Sequence, residues 1–295
     1  MALICLISVI GLIVLSDFVY SRYVAHSISK WEATIERDAD GVQKGFGEFA
    51  MGDGPTALLM IHGINDSPRC WYKMAPVLAE NGFHCRAMRL NGFAETVENY
   101  GHATRHEWLS AVDHEIKGLR ASHKIVFLVA HSLGGAISIA HVLDNPDSVD
   151  GIVLIAPAIE VSDDRSPLFS TRFWHEFANG ILIFTRTTRS PYDIDAHDPT
   201  ERDYEGRIIF TPRSVVDETF ALIDNNRGRA GELKLPLMMV LSKDDKVIDW
   251  QAAKEFYDEA GSDKKTIFFT KDAGHAIPYD NGWQELADAI AKFAG

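Results

Sequence analysis

The sequence predicts an α/β fold, a mostly parallel, doubly wound sheet with an inserted helical cap. Three observations predict it. Short apolar runs of strand length recur between helical patterns, at Leu58–Ile61, Lys124–Val129, Pro236–Leu241 and Thr266–Phe269. One of these runs passes straight into a helical stretch through Ala130-His131-Ser132-Leu133-Gly134-Gly135. The segment between a strand ending at Pro157 and the strand starting at Pro236 is too long for a simple crossover.

Taken in chain order, Met1 to Ser16 is uncharged and almost wholly apolar; Asp17 interrupts it before Phe18-Val19-Tyr20 and Arg22. A spanning helix wants about 20 apolar residues, and a signal peptide wants a basic start that is missing here. Residues 1–24 are read as a membrane anchor first, a signal segment second and a hydrophobic docking helix third. Membrane association would run through residues 1–21. Arg22 and Lys30 on the C-terminal flank point to a cytoplasmic body, though two charges do not fix the side. Residues 25–43 read as a linker. The body follows at 44–156 and 233–295, with 157–232 inserted as the cap.

Within the body, His62-Gly63-Ile64 follows the first strand, and Asn99–Arg120 holds a helix opened by His106-Glu107-Trp108. Its stripe of Trp108, Val112, Ile116 and Leu119 faces a core. The turn at Ser132 then joins a buried strand to the helix Ala136–Leu143, and only small neighbours fit where strand and helix pack so closely. The usual pattern is Gly-x-Ser-x-Gly; Ala130 takes the first position here. In the cap, Phe169, Phe173, Trp174, Phe177, Ile181 and Leu182 recur at helical spacing, and Ser214–Asn225 reads as a second helix. The apolar face of the cap leans towards an acyl-chain pocket.

A serine hydroxyl is a poor nucleophile and needs a base, which in turn needs an orienting carboxylate. On this architecture they follow the later strands in the order Ser, Asp/Glu, His. His275 lies in a loop bracketed by Gly274 and Pro278 after the last strand. Asp245, in Asp-Lys-Val-Ile, is the favoured orienter, with Asp244 the alternative. Asp249 reads as the N-cap of the helix Trp250–Ala260. The backbone N–H groups of Ile64 and Leu133 are the candidates for the oxyanion hole, and His62 reads as a loop-fixing residue.

With these motifs in place, the chain resembles the α/β-hydrolases, and more narrowly the monoacylglycerol lipase, lysophospholipase and bacterial carboxylesterase group. His62-Gly63, Ser132 in Ala-His-Ser-Leu-Gly-Gly, Asp245 in Asp-Lys-Val-Ile and His275 in Ala-Gly-His carry the resemblance, from about Lys44 to the C-terminus. It implies a serine hydrolase that cleaves carboxylic esters through an acyl-serine intermediate. A peptidase or thioesterase on the same fold, or a non-catalytic membrane-associated binding protein, is the alternative. The implied partner is a small ester or lipid substrate, with no metal or organic cofactor.

Composition narrows the rest. The chain has 295 residues, 46% of them apolar, enough for one sizeable core. A net charge of −13 without a basic block argues against nucleic acid, whose phosphates need clustered Lys and Arg. Cys70 and Cys85 could pair or be two buried thiols, and Cys5 sits in the apolar segment. His102 and His106 lack the glutamate and third ligand of a zinc helix.

Overall fold

The computed structural model describes residues 1–166, 168–204 and 207–295. In chain order its main elements are α1 (Ala2–Glu32), β1 (Phe49–Met51), β2 (Thr56–Ile61), α2 (Met74–Glu80), β3 (Phe83–Met88), α3 (Val97–His102), α4 (Arg105–Arg120), β4 (Ile125–His131), α5 (Leu133–Asp144) and β5 (Gly151–Ile155). Then come α6 (Thr171–Ile181), β6 (Thr187–Arg189), β7 (Phe210–Pro212), α7 (Arg213–Asn226), β8 (Leu237–Leu241), α8 (Trp250–Glu259), β9 (Lys265–Phe269) and α9 (Trp283–Ala294).

Seven strands form the central sheet in the order β1-β3-β2-β4-β5-β8-β9. Only β1 runs antiparallel to its neighbour; the other pairings are parallel. A parallel sheet must be covered on both faces, which explains why its strands are continuously apolar. Alternation then sorts the side chains. Leu59, Ile61, Leu128 and Ala130 face the layer that contains Trp108, Ile137 and Phe220, whereas Leu58, Met60 and Val129 face the layer that contains Trp71, Leu78 and Leu286. Helix α5 is apolar all round and buried almost throughout, so it sits at the centre of the first layer. Helix α4 starts at a capping box between Thr104 and Glu107, directly after α3 ends at His102.

The insertion between β5 and β8 divides into two parts, and positions 167 and 205–206 of it lie outside the described residues. Helix α7 buries Val215, Phe220, Leu222 and Ile223 in the main core, and Asn226 donates to the Ala136 carbonyl of α5 at 2.8 Å. It is part of the body as much as of a cap. Helix α6 buries nothing. Its Phe173 and Phe177 are 41% and 47% exposed and stack on each other and on neighbouring aromatics of the same segment. The apolar face expected to line an acyl pocket is turned outwards. Strands β6 and β7 form a separate antiparallel pair.

Helix α1 runs to Glu32, beyond the boundary expected at residue 24. Its outer half, from Ile4 to Leu15, presents exposed apolar side chains. The helix from Ile4 to Glu32 is long and apolar enough to cross a membrane. Its inner half is bound to the body. The buried Asp17 carboxylate accepts the N–H groups of Ile183, Phe184 and Thr185 at 2.7, 2.8 and 3.0 Å. Val24 is buried with Val97 and Phe210, and Trp31 packs edge-on against Phe210. Cys70 and Cys85 are buried free thiols.

Candidate active site

Ser132 stands where β4 becomes α5, with φ 52° and ψ −117°. That backbone is strained for a side-chain-bearing residue, and the surroundings hold it there. Its N–H donates to the Ile155 carbonyl at 3.0 Å, and its carbonyl accepts from Gly135 and Ala158 at 2.9 Å each. The turn also explains the glycines. A Cβ at Gly134 would lie 2.6 Å from the Ile61 carbonyl, and one at Gly135 would lie 2.6 Å from Pro157. Ala130 is fully buried on the β4 side of the turn, so the departure from glycine is accommodated.

The strand order brings the other two predicted side chains to the same edge. Asp245 follows β8 and His275 follows β9, both at the C-terminal ends of their strands. The His275 Nε2 lies 3.0 Å from Ser132 Oγ, and its Nδ1 lies 2.8 Å from Asp245 Oδ2. Since a carboxylate only accepts, Nδ1 carries the hydrogen, which leaves Nε2 free to accept the serine proton. The other Asp245 oxygen accepts the N–H groups of Val247 and Ile248 at 2.8 and 2.9 Å. Burial pushes this carboxyl up, but the facing His275 charge, its hydrogen bond and those two N–H groups outweigh burial and hold it below the usual value. Asp244 is exposed, and its N–H turns back to Ser242, so the alternative orienter has no contact with His275. Asp249 caps α8 as expected, accepting from Gln251 and Ala252.

The loop after β2 borders the serine from the other side. A Cβ at Gly63 would lie 2.9 Å from the Ser132 Cβ, so only glycine lets the loop approach this closely. The N–H groups of Ile64 and Leu133 have no acceptor among the described residues. Leu133 opens α5, where the first N–H groups lack helical partners and the helix dipole favours negative charge. His62 fixes this loop. Its Nε2 accepts from Leu90 N–H at 3.1 Å and its Nδ1 donates to the Gly63 carbonyl at 2.9 Å. Burial lowers its pKa to about 4, so the ring is neutral in this role.

Two positions here, Asn65 and His131, have no assigned role in the sequence pattern. Asn65 takes φ 58°; its N–H and Oδ1 meet the Tyr100 hydroxyl at 3.2 and 3.0 Å, and its amide donates to Thr211 Oγ1 of β7 at 2.8 Å. His131 donates Nε2–H to the His275 carbonyl at 3.0 Å, with the two rings 4.8 Å apart. Burial, helped by the His275 charge, lowers its pKa to about 3. The His131 ring is thereby held neutral beside His275. The signal in the sequence was its place next to Ser132, which does not say where a side chain points.

The residues from 55 to 282 match the family model described as serine aminopeptidase, S33. The chain belongs to this S33 family of α/β hydrolases. Among relatives of this S33 chain is a thermostable monoacylglycerol lipase of Bacillus sp. (strain H-257), 22% identical over 86% of this chain and 98% of the relative. A carboxylesterase of Bacillus subtilis (strain 168) is 21% identical over 79% and 89%. The solved monoacylglycerol lipase of Paleococcus ferrophilus superposes with a TM-score of 0.71 at 21% identity, over 84% of this chain and 97% of its own. At that identity the structural likeness carries the fold alone.

Proposed function

We propose that this S33 chain is a serine-dependent carboxylic ester hydrolase of the esterase or monoacylglycerol lipase type. One observation carries the reading: the unbroken run of contacts from Ser132 Oγ through His275 to Asp245, at 3.0 and 2.8 Å. In the proposed mechanism Ser132 Oγ attacks the ester carbonyl carbon while its proton passes to His275 Nε2. The oxyanion forms against the N–H groups of Ile64 and Leu133. Collapse breaks the bond to the alcohol oxygen, which leaves with the His275 proton. Water then attacks the acyl-serine and gives a proton to the same nitrogen; collapse breaks the acyl–Oγ bond, the proton returns from His275 Nε2 to Ser132 Oγ, and the acid leaves. Asp245 holds the ring in its tautomer and stabilises the cationic form.

The ester class is favoured by the names of the relatives, since a triad serves ester, thioester and amide alike. A panel of nitrophenyl esters, acyl-thioesters and aminoacyl-amides separates the ester reading from the peptidase or thioesterase reading. The Ser132→Ala variant keeps its fold and loses about three or more orders of magnitude in kcat on its preferred substrate. Activity that survives the change removes the nucleophile assignment, and an inactive folded wild type favours a binding protein.

Membrane association through α1 belongs to the same proposal. Its outer half offers an apolar surface to lipid, and the Asp17 contacts with the body favour a retained helix over a cleaved one.

A further inference from the structure

The two loops that carry Asp245 and His275 are not bonded only to each other; a third segment, Ile194–Asp198 of the insertion, runs between them. Asp195 is at its centre. One carboxylate oxygen, Oδ2, accepts two backbone N–H groups, that of Lys246 at 2.9 Å and that of His275 at 3.0 Å. Lys246 directly follows the orienting carboxylate, and His275 is the base itself. The Asp195 carbonyl adds a bond from Ala276 N–H at 3.0 Å. A Cβ at Gly274 would lie 2.4 Å from that carbonyl, so glycine there is what lets the segment pass. The second carboxylate oxygen takes the Arg165 Nη2 at 2.7 Å, and the Arg165 guanidinium lies over the Tyr192 ring at 4.9 Å. The Asp195 side chain is only 9% exposed, so this is a sheltered charge with all its partners assigned.

We infer that Asp195 is a positioning residue: it sets the separation of the acid and base loops, and through Arg165 it ties that separation to the insertion. The chemistry is a question of tolerance. The serine, imidazole and carboxylate act within hydrogen-bond distances of one another, and an ångström of misplacement costs roughly a hundredfold in rate. A single oxygen bonded to one N–H of each loop fixes their distance as a hinge pin would. Asp280 repeats the device on the same segment. Its Oδ2 accepts His197 and Gly274 N–H at 2.8 Å each, and its Oδ1 accepts Asp198 N–H at 2.8 Å, which secures the rest of the segment to the base loop. Since Arg165 and Asp195 both belong to the insertion, movement of that insertion is transmitted to the triad and not merely laid over it.

This inference rests on the triad reading above, and its test keeps the two apart. The full-length protein in detergent micelles is assayed with nitrophenyl acetate, with sites counted by fluorophosphonate titration so that kcat refers to competent molecules. Asp195→Ala is expected to lower kcat per titrated site by about 10- to 100-fold, with KM changed less than about threefold and the pH–rate profile displaced. Arg165→Met with Asp195→Asn keeps an acceptor for both N–H groups without the ion pair. It is expected within about fivefold of Arg165→Met alone. An unchanged kcat per titrated site in Asp195→Ala overturns the inference, because a purely structural residue would lower the number of competent molecules and leave their rate alone. If Asp195→Ala does not fold, the Asn pair decides, and a loss of tenfold or more against Arg165→Met overturns it. Undiminished hydrolysis by Ser132→Ala in the same assay would instead remove the triad reading itself.

Discussion

The floor of the candidate site and the outer helix of its insertion are built on opposite terms. At the floor, Ser132 and Asp245 are 2% and 3% exposed, both ring nitrogens of His62 and His275 have partners, His131 is held through its Nε2, and Gly63, Gly134 and Gly135 are dictated by atoms that a Cβ would approach within 3 Å. On α6, no residue is buried, and the aromatic side chains meet chiefly one another. The difference teaches which part of the molecule fixes the chemistry. The proposed chemistry falls in the region where burial and hydrogen bonds leave least room, whereas the aromatic face of the helix next to it lies largely outside that packing.

The comparison is sharpest where the floor is broken. Asp245→Asn leaves the loop packed but offers His275 an amide that can donate, which favours the wrong tautomer. A loss of about four orders of magnitude in kcat is expected with little change in KM, measured by steady-state ester hydrolysis. A loss below tenfold would show that His275 does not need its carboxylate.

The next effect concerns α1, which belongs to both descriptions. Removing residues 1–16 takes away no buried side chain among those described, Val14 being part-buried and the others exposed, and ester turnover and melting temperature should be retained. Removing residues 1–32 also removes Asp17, Val24 and Trp31, stranding the Ile183, Phe184 and Thr185 N–H groups and uncovering Phe210. A loss of about 2–5 kcal/mol is expected by denaturant unfolding. Equal stability of the two truncations would make α1 a mere tether.

The acid side of the stability curve tests the floor more gently. His62 and His131 are held neutral by burial, with pKa values lowered to about 4 and about 3 from an ordinary 6.5. Above pH 6.5 neither folded nor unfolded chain binds a proton at these rings, so they contribute no slope. Below it the unfolded chain binds protons that the folded one refuses, and stability falls by about 1.4 kcal/mol per pH unit for each ring down to about pH 4. Asp245 acts lower, since its depressed carboxyl lends stability that is lost only as pH falls through its folded value. His131→Gln should remove one of the two slopes, read by denaturant titration at pH 6.5 and 4.5.

Smallest of all is Phe177→Ser on α6, expected to change stability by less than about 0.5 kcal/mol and turnover of a short soluble ester by less than about twofold. A large loss with either readout would mean that α6 closes on the site.

How far the sequence could be read follows the same division. Five of the strands (β2, β4, β5, β8 and β9), α5, Gly63 and the meeting of Ser132, Asp245 and His275 were legible because each is set by a local pattern: an apolar run, a tight turn, a loop at a strand end. Asp245 was separable from Asp244 by the apolar Val247-Ile248 pair, whose N–H groups it proves to accept. What was not legible depends on meetings between distant segments. Asp195 is one acid among 42 Asp and Glu residues, and nothing near it in the chain announces that it joins Lys246 to His275. The helical spacing of α6 was visible, but periodicity does not say what covers an apolar face, and the expected pocket lining is exposed. Helix α7 read as cap because it lies inside the insertion, yet its apolar side packs on α5. The reach of α1 to Glu32 was hidden because Val24 and Trp31 owe their place to Val97 and Phe210 far along the chain.

The most direct test is to expose the full-length protein in detergent to a fluorophosphonate probe and locate the label by mass spectrometry. The account predicts a single labelled residue, Ser132, with labelling abolished in His275→Ala. A folded, ester-hydrolysing sample labelled elsewhere, or labelled at Ser132 equally well without His275, would contradict it.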